Sequence, residues 1–123
     1  MRGLTSALFL FLALPVAPPA AAFDAHDLWH PIYESWQRPD GRGACCNKHD
    51  CKPVTYRTSA TGVEIKIDEL GGIWQAVPPK TILPFASFNS EAHACYFLQR
   101  CVSGATAAPC AATIRCVALP MNM

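Results

Sequence analysis

Apolar and polar positions alternate most clearly between residues 54 and 67. Val54 and Tyr56 alternate with Thr55 and Arg57, and beyond the turn residues Ser59, Ala60, Thr61 and Gly62 the apolar Val63, Ile65 and Ile67 alternate with Glu64, Lys66 and Asp68. A period of two broken by turn residues predicts an antiparallel hairpin with one buried and one wet face. Gly71 and Gly72 make the next turn, and Ile73 to Val77 predicts a third strand closed by Pro78 and Pro79, which completes a meander. Upstream the period is helical. Leu28, Ile32 and Trp36 fall four apart, with Trp29 and Tyr33 beside them, so one face of a helix is expected between Asp27 and Arg38. Pro31 has no backbone N–H and suits a first turn, so a short helix starting close to it is expected, ended by the loop from Pro39 to Gly43. The aromatic spacing already accounts for this helix as a lid on the core.

The second half reads less cleanly. Lys80 to Asn89 predicts a looping segment on the core. Ser90 to Gln99 fits either a capped helix or a strand; a short helix or irregular turn is expected. Val102 to Ala112 is mostly Ala, Ser, Gly and Thr with Pro109, which reads as a loop that Cys101 and Cys110 could close locally. Thr113 to Leu119 favours a last strand carrying Cys116. The fold class expected is small, disulfide-rich and mainly β: an antiparallel meander of three to four strands with one or two short helices.

The N-terminus changes the compartment. Arg2, an apolar run from Leu4 to Leu14, and Ala20, Ala21 and Ala22 after several prolines have the layout of a secretory signal over residues 1–22, cleaved before Phe23. Residues 23–123 would then be one disulfide-stabilised domain, periplasmic or secreted. The apolar run is too short to span a bilayer, and no second run of that kind follows, so no integral membrane segment is expected after cleavage. Of the 123 residues, 10 are basic and 9 acidic, and losing Arg2 makes the balance even, which offers nothing to attract nucleic acid. The length leaves no room for a barrel enzyme, and no GxGxxG or GxxxxGK[ST] is present.

All seven cysteines, Cys45, Cys46, Cys51, Cys95, Cys101, Cys110 and Cys116, follow the signal. Seven in a small exported chain point to disulfides, because nothing in that compartment keeps exposed thiols reduced. The odd number leaves one thiol to stay free, bind a metal or form an intermolecular disulfide with a partner.

Three chemistries are suggested by CCNKHDC, residues 45–51. It is similar to the active-site signature of secreted phospholipases A2, where His49 would be the general base and Asp50 would hold calcium. Against that reading, Cys51 follows His49 too closely, PDGRGA is not a calcium loop, and Pro53 forbids the long helix that such a histidine needs. A copper or zinc site is the second, with Cys45, Cys46, His49, Cys51, His93 and Cys95 as candidate ligands; His26 and His30 in DAHDLWH add a weaker pair. Competing disulfide formation argues for the plainer alternative, in which these cysteines are bridged and no cofactor is bound. Thiol redox catalysis would want a CxxC and nucleophilic hydrolysis a GxSxG, and neither is present.

WQRPDGRGACCNKHDCKPV at 36–54, GIWQAVPPKTI at 72–82, HAC at 93–95 and IRC at 114–116 together resemble a family of small exported alphaproteobacterial proteins. Their pattern is RPD, CCN-x-x-DC, a Trp before VPP, and His-x-Cys. The family carries no assigned activity, so the resemblance implies a shared disulfide domain and no catalytic residues. Cys101 and Cys110 stand outside that pattern, which implies a private bridge between them and an odd thiol among Cys45, Cys46, Cys51, Cys95 and Cys116. One of the first three should then reach Cys95 or Cys116, since a bond between neighbours 45 and 46 would strain the peptide. The function expected is a non-enzymatic structural or binding module of the cell envelope with unknown partners. Trp29 and Trp74 are the candidate binding surface, and periplasmic copper or zinc binding is the alternative.

Overall fold

The computed structural model of the protein describes residues 25–121; the signal expected over residues 1–22 lies outside them. In chain order the elements are α1 (Ala25–Tyr33), β1 (Cys51–Val54), β2 (Tyr56–Ser59), β3 (Gly62–Ile67), β4 (Ile73–Ala76), β5 (Ala92–Ser103) and β6 (Thr106–Ala118). They make two antiparallel sheets, ordered β1-β5-β6 and β2-β3-β4, the second being the expected meander. The fold class stands as read from the sequence. The alternating run from Val54 to Arg57 is divided at Thr55, where the chain leaves one sheet and enters the other. Pro53 is accommodated because β1 is an edge strand.

Alternate side chains explain the layering. Along β5 and β6, Ala92, Ala94, Tyr96, Ile114 and Val117, with Leu119 just beyond, pack with Ile65, Ile67 and Val77 in a core between the sheets. Cys95, Cys116 and Ala118 face the other way, into a second core with Tyr33, Trp36, Cys45, Cys51 and Leu83. The β1-β5-β6 sheet is thus the middle layer, with the meander on one side and α1 and its following loop on the other. Gln75 Nε2 donates to the carbonyl of Ala112 at 2.8 Å, and Tyr96 Oη donates to Glu69 at 2.7 Å beside the Lys52–Glu69 ion pair. These contacts pin the meander to the middle sheet.

Three expectations are corrected. α1 does not begin at Pro31: it runs from Ala25, with Pro31 in its last turn. Pro31 forfeits the bond to the Asp27 carbonyl, and the helix is held by tertiary contacts, Tyr33 being fully buried. Residues 90–99 do not form a helix or irregular turn, because from Ala92 they are the buried half of β5. Burial on both faces removes the polar positions that would have marked a strand. Residues 102–112 are no loop either. They form the exposed end of the β5–β6 hairpin, turning at Gly104 (φ 62°) and Ala105 between the paired Ser103 and Thr106. Lys80 to Asn89 does loop over the core, where Leu83 N and Ser87 N donate to the carbonyls of Val117 and Leu119, each at 2.8 Å.

Six cysteines pair as Cys45–Cys116, Cys51–Cys95 and Cys101–Cys110, and Cys46 is free. Cys51 and Cys95 stand opposite each other on β1 and β5, and Cys95 stands opposite Cys116 on β6. Two bridges therefore lie side by side on one face of the middle sheet, tying all three strands to the loop after α1.

Candidate metal centre

The site is assembled from α1 and the loop that joins it to β1. After α1 the chain makes a narrow turn, with Gln37 bridged to Ala44 and Arg38 N donating to the Gly43 carbonyl at 2.8 Å; the turn delivers Cys45 to Cys116. Cys46 to Asp50 then folds back on itself. Asn47 N donates to Asp50 Oδ1 at 2.6 Å, His49 N to the Asn47 carbonyl at 3.1 Å, and Lys48 takes φ 67°. For a non-glycine residue that backbone costs roughly 1–2 kcal/mol. It brings the His49 ring to 4.9 Å from the His26 ring.

His26 and His30 are four apart on α1, one helical turn, and so share a face. His26 Nδ1–H donates to the carbonyl of Cys51 at 2.8 Å, and His30 Nε2–H donates to Glu34 Oε1 at 2.7 Å. Each ring thus gives its outer nitrogen to an oxygen acceptor. The inner nitrogens, His26 Nε2 and His30 Nδ1, are within hydrogen-bond distance of each other at 3.0 Å, and Cys46 completes a group whose ligand atoms all lie within 4.8 Å of one another. Oxygen acceptors behind imidazoles are the usual outer support of metal-binding histidines, fixing ring orientation and raising donor strength. A tetrahedral ion with 2.0–2.1 Å bonds to nitrogen wants its nitrogens about 3.3 Å apart, a few tenths of an ångström from the present spacing.

The group opens on a cleft of ≈350 Å³ lined by His30, Glu34, Cys46, Lys48 and His49. His26 is buried at 2% exposure, while the His49 side chain is 71% exposed, 3.7 Å from Asp27 Oδ1. Burial, with the nearby Asp50 charge second, pushes the Cys46 thiol up to about 11, and its S–H donates to the Lys48 carbonyl at 3.4 Å. A thiol held protonated in this way is slow to oxidise, which suits an unpaired cysteine in an oxidising compartment. A second group, Cys46, Asp50 and Cys51, has its Cys51 sulfur committed to Cys95.

Of the six ligands nominated from sequence, the structure gives Cys45, Cys51 and Cys95 to disulfides and brings Cys46 and His49 to the cleft. His93 is elsewhere. It is fully buried, its Nδ1 accepts from Tyr33 Oη at 2.7 Å, and its Nε2–H donates to Asn89 at 2.8 Å. Burial lowers its basicity, with the Glu91 charge acting the other way, and burial raises that of Tyr33. Trp29 is half-buried against Phe88, 4.8 Å between ring centres, and Trp74 lies half-buried under the Arg57 guanidinium. His26 and His30 carry more of the site than sequence reasoning assigned them. The signal was their i, i+4 spacing, which a helix starting at Pro31 would have left outside the helix. Asp50, the phospholipase-like calcium ligand, is instead paired to Arg115 at 2.9 Å, and His49 is on a loop that runs directly into β1.

What these features define is a small antiparallel β-domain closed by disulfides, with an imidazole–thiol cleft beside α1. The chain matches no family model, no curated protein and no solved structure.

Proposed function

We propose that this is an exported, non-enzymatic module that binds one copper or zinc ion through His26, His30 and Cys46, with His49 closing the fourth position. The observation that carries the reading is the convergence of two imidazole nitrogens and one thiol, each imidazole being backed by its own oxygen acceptor. Nitrogen and sulfur donors select such ions over calcium or magnesium. The disulfides hold the fold without help from an ion, and the cleft is open on one side, so the ion is cargo that enters and leaves a standing site. Cell-envelope or extracellular residence is part of the same proposal and is supported by the disulfides. The absence of any helix long and apolar enough to cross a membrane among the described residues accords with it.

The test is titration of the oxidised protein with Zn(II), and with Cu(I) under reductant too weak to open its disulfides. One equivalent should bind. His30→Ala and Cys46→Ser should each weaken binding by at least the roughly 10–100-fold that loss of an outer partner causes in known sites. Unchanged affinity in both variants would remove this function. A covalent dimer through Cys46, the other fate open to an odd cysteine, would show on non-reducing gels and vanish in Cys46→Ser.

A further inference from the structure

His93, singled out in the HAC run, and Tyr33, on the aromatic face of α1, supply no ligand to the metal centre. The fold nevertheless presses them together. Both are fully buried, and Tyr33 Oη donates to His93 Nδ1 at 2.7 Å. His93 Nε2–H in turn donates to Asn89 Oδ1 at 2.8 Å, and Asn89 Nδ2–H donates to Glu91 Oε2 at 3.3 Å. With Asn89 taking the Nε2 proton, the lone pair of a neutral imidazole is turned towards the phenol. A short bond from a phenol to a basic nitrogen is a path along which a proton can move, and low-dielectric surroundings strengthen it.

Rings that can give up an electron surround the pair. Centre to centre, the Tyr33 ring lies 5.2 Å from that of Trp36 and 5.7 Å from that of His26, and the His93 ring lies 6.3 Å from Trp36 and 6.5 Å from Trp29. Electrons pass between packed rings without contact with solvent, so burial is no barrier. Phenol and indole are the most readily oxidised aromatic side chains. A phenol that has lost an electron is a strong acid, so its oxidation is easy only where a base takes the proton as the electron leaves. His93 is placed to be that base. Burial lowers its basicity, while the Glu91 charge favours its imidazolium, and burial keeps the Tyr33 phenol neutral at rest. Tyr96 differs, because its hydroxyl donates to a Glu69 carboxylate already paired with Lys52.

We infer that Tyr33 and His93 are a redox pair that gives up one electron and one proton together, intercepting one-electron oxidants of the hydroxyl-radical class. In that step the Tyr33 O–H bond breaks. Its electron reduces the hydroxyl radical to hydroxide, and its proton forms an N–H bond at His93 Nδ1. A neutral phenoxyl radical and an imidazolium held by Asn89 remain. Oxidants of this class form where reduced copper meets peroxide, and the His26 ring is in contact with Tyr33, so the pair draws them away from the Cys46 thiol. That source of oxidant rests on the metal reading; the pair itself does not.

The test uses the disulfide-intact, metal-free protein carrying Cys46→Ser, so its outcome does not depend on metal binding. One electron is withdrawn by flash photolysis with ruthenium tris-bipyridine and a cobalt(III) quencher, and the product is read by EPR after freeze-trapping and by transient absorbance. A phenoxyl radical is expected that is lost in Tyr33→Phe, which removes only the hydroxyl, and kept in Tyr96→Phe. It should form more slowly in heavy water. His93→Gln should slow it by roughly a hundredfold, the lower end of what a positioned base contributes. The solvent isotope effect carries the point should that variant fail to fold. A phenoxyl signal that survives Tyr33→Phe, or a formation rate untouched by heavy water or by folded His93→Gln, would overturn the pair.

Discussion

Deleting the disulfides of longest and shortest sequence separation in turn distinguishes a bridge that holds the fold from one that trims it. Cys45–Cys116 closes a separation of 71 residues and Cys101–Cys110 one of 9. Loop-closure entropy of the unfolded chain grows with the logarithm of loop length, so the first bridge should contribute about 4.4 kcal/mol and the second about 2.6 kcal/mol at 25 °C. Location widens the gap. Cys45 and Cys116 are fully buried in the core under α1, whereas Cys101 and Cys110 sit on the exposed end of the hairpin. Opening the first also leaves a cavity, and opening the second leaves only surface. The comparison is Cys45→Ala/Cys116→Ala against Cys101→Ala/Cys110→Ala, both with Cys46→Ser to prevent exchange through the free thiol. Urea unfolding gives the two losses. The first variant should lose at least about 2 kcal/mol more than the second: equal losses, or a larger loss from the hairpin pair, would refute the assignment of the buried bridge as the main closure.

Other expectations follow from single groups. With its thiol pushed up to about 11, Cys46 should react with iodoacetamide at pH 8 roughly a hundredfold more slowly than an ordinary cysteine and should gain that factor in denaturant; rapid labelling of the native protein would contradict its burial. His93 is neutral and buried, and burial lowers its folded value below the unfolded one near 6.5. Its contribution is thus intact above that pH and lost as pH falls towards the folded value, so the urea midpoint should drop on acidification and His93→Gln should flatten the drop. Ile65→Ala removes a fully buried side chain between the sheets and should cost about 2–5 kcal/mol by urea unfolding, against under about 0.5 kcal/mol for a change at exposed Thr58.

Where one face of a strand is wet, the sequence was readable. Val63, Ile65 and Ile67 alternate with charged neighbours because β3 is buried on one side, and the meander followed. It was unreadable where that contrast disappears. Ala92 to Tyr96 is buried on both faces, and Ala105 to Cys110 is exposed on both, so neither stretch alternates although β5 and β6 form the longest hairpin. Pro31 misled differently, because a proline in a last turn looks in sequence like one in a first turn. That error hid the helical spacing of His26 and His30. Residue type and clustering in CCNKHDC point to Cys46 and His49 as ligands, but which thiols remain for an ion depends on the cross-strand neighbours of Cys95, a matter of register that spacing does not reveal.

X-ray absorption at the metal edge of the loaded protein tests the central claim most directly. One sulfur at about 2.3 Å with two or three imidazole nitrogens at about 2.0 Å is the expected shell, the sulfur being lost in Cys46→Ser. A shell with no sulfur, or with two or more, would contradict a centre built from His26, His30 and the single free thiol.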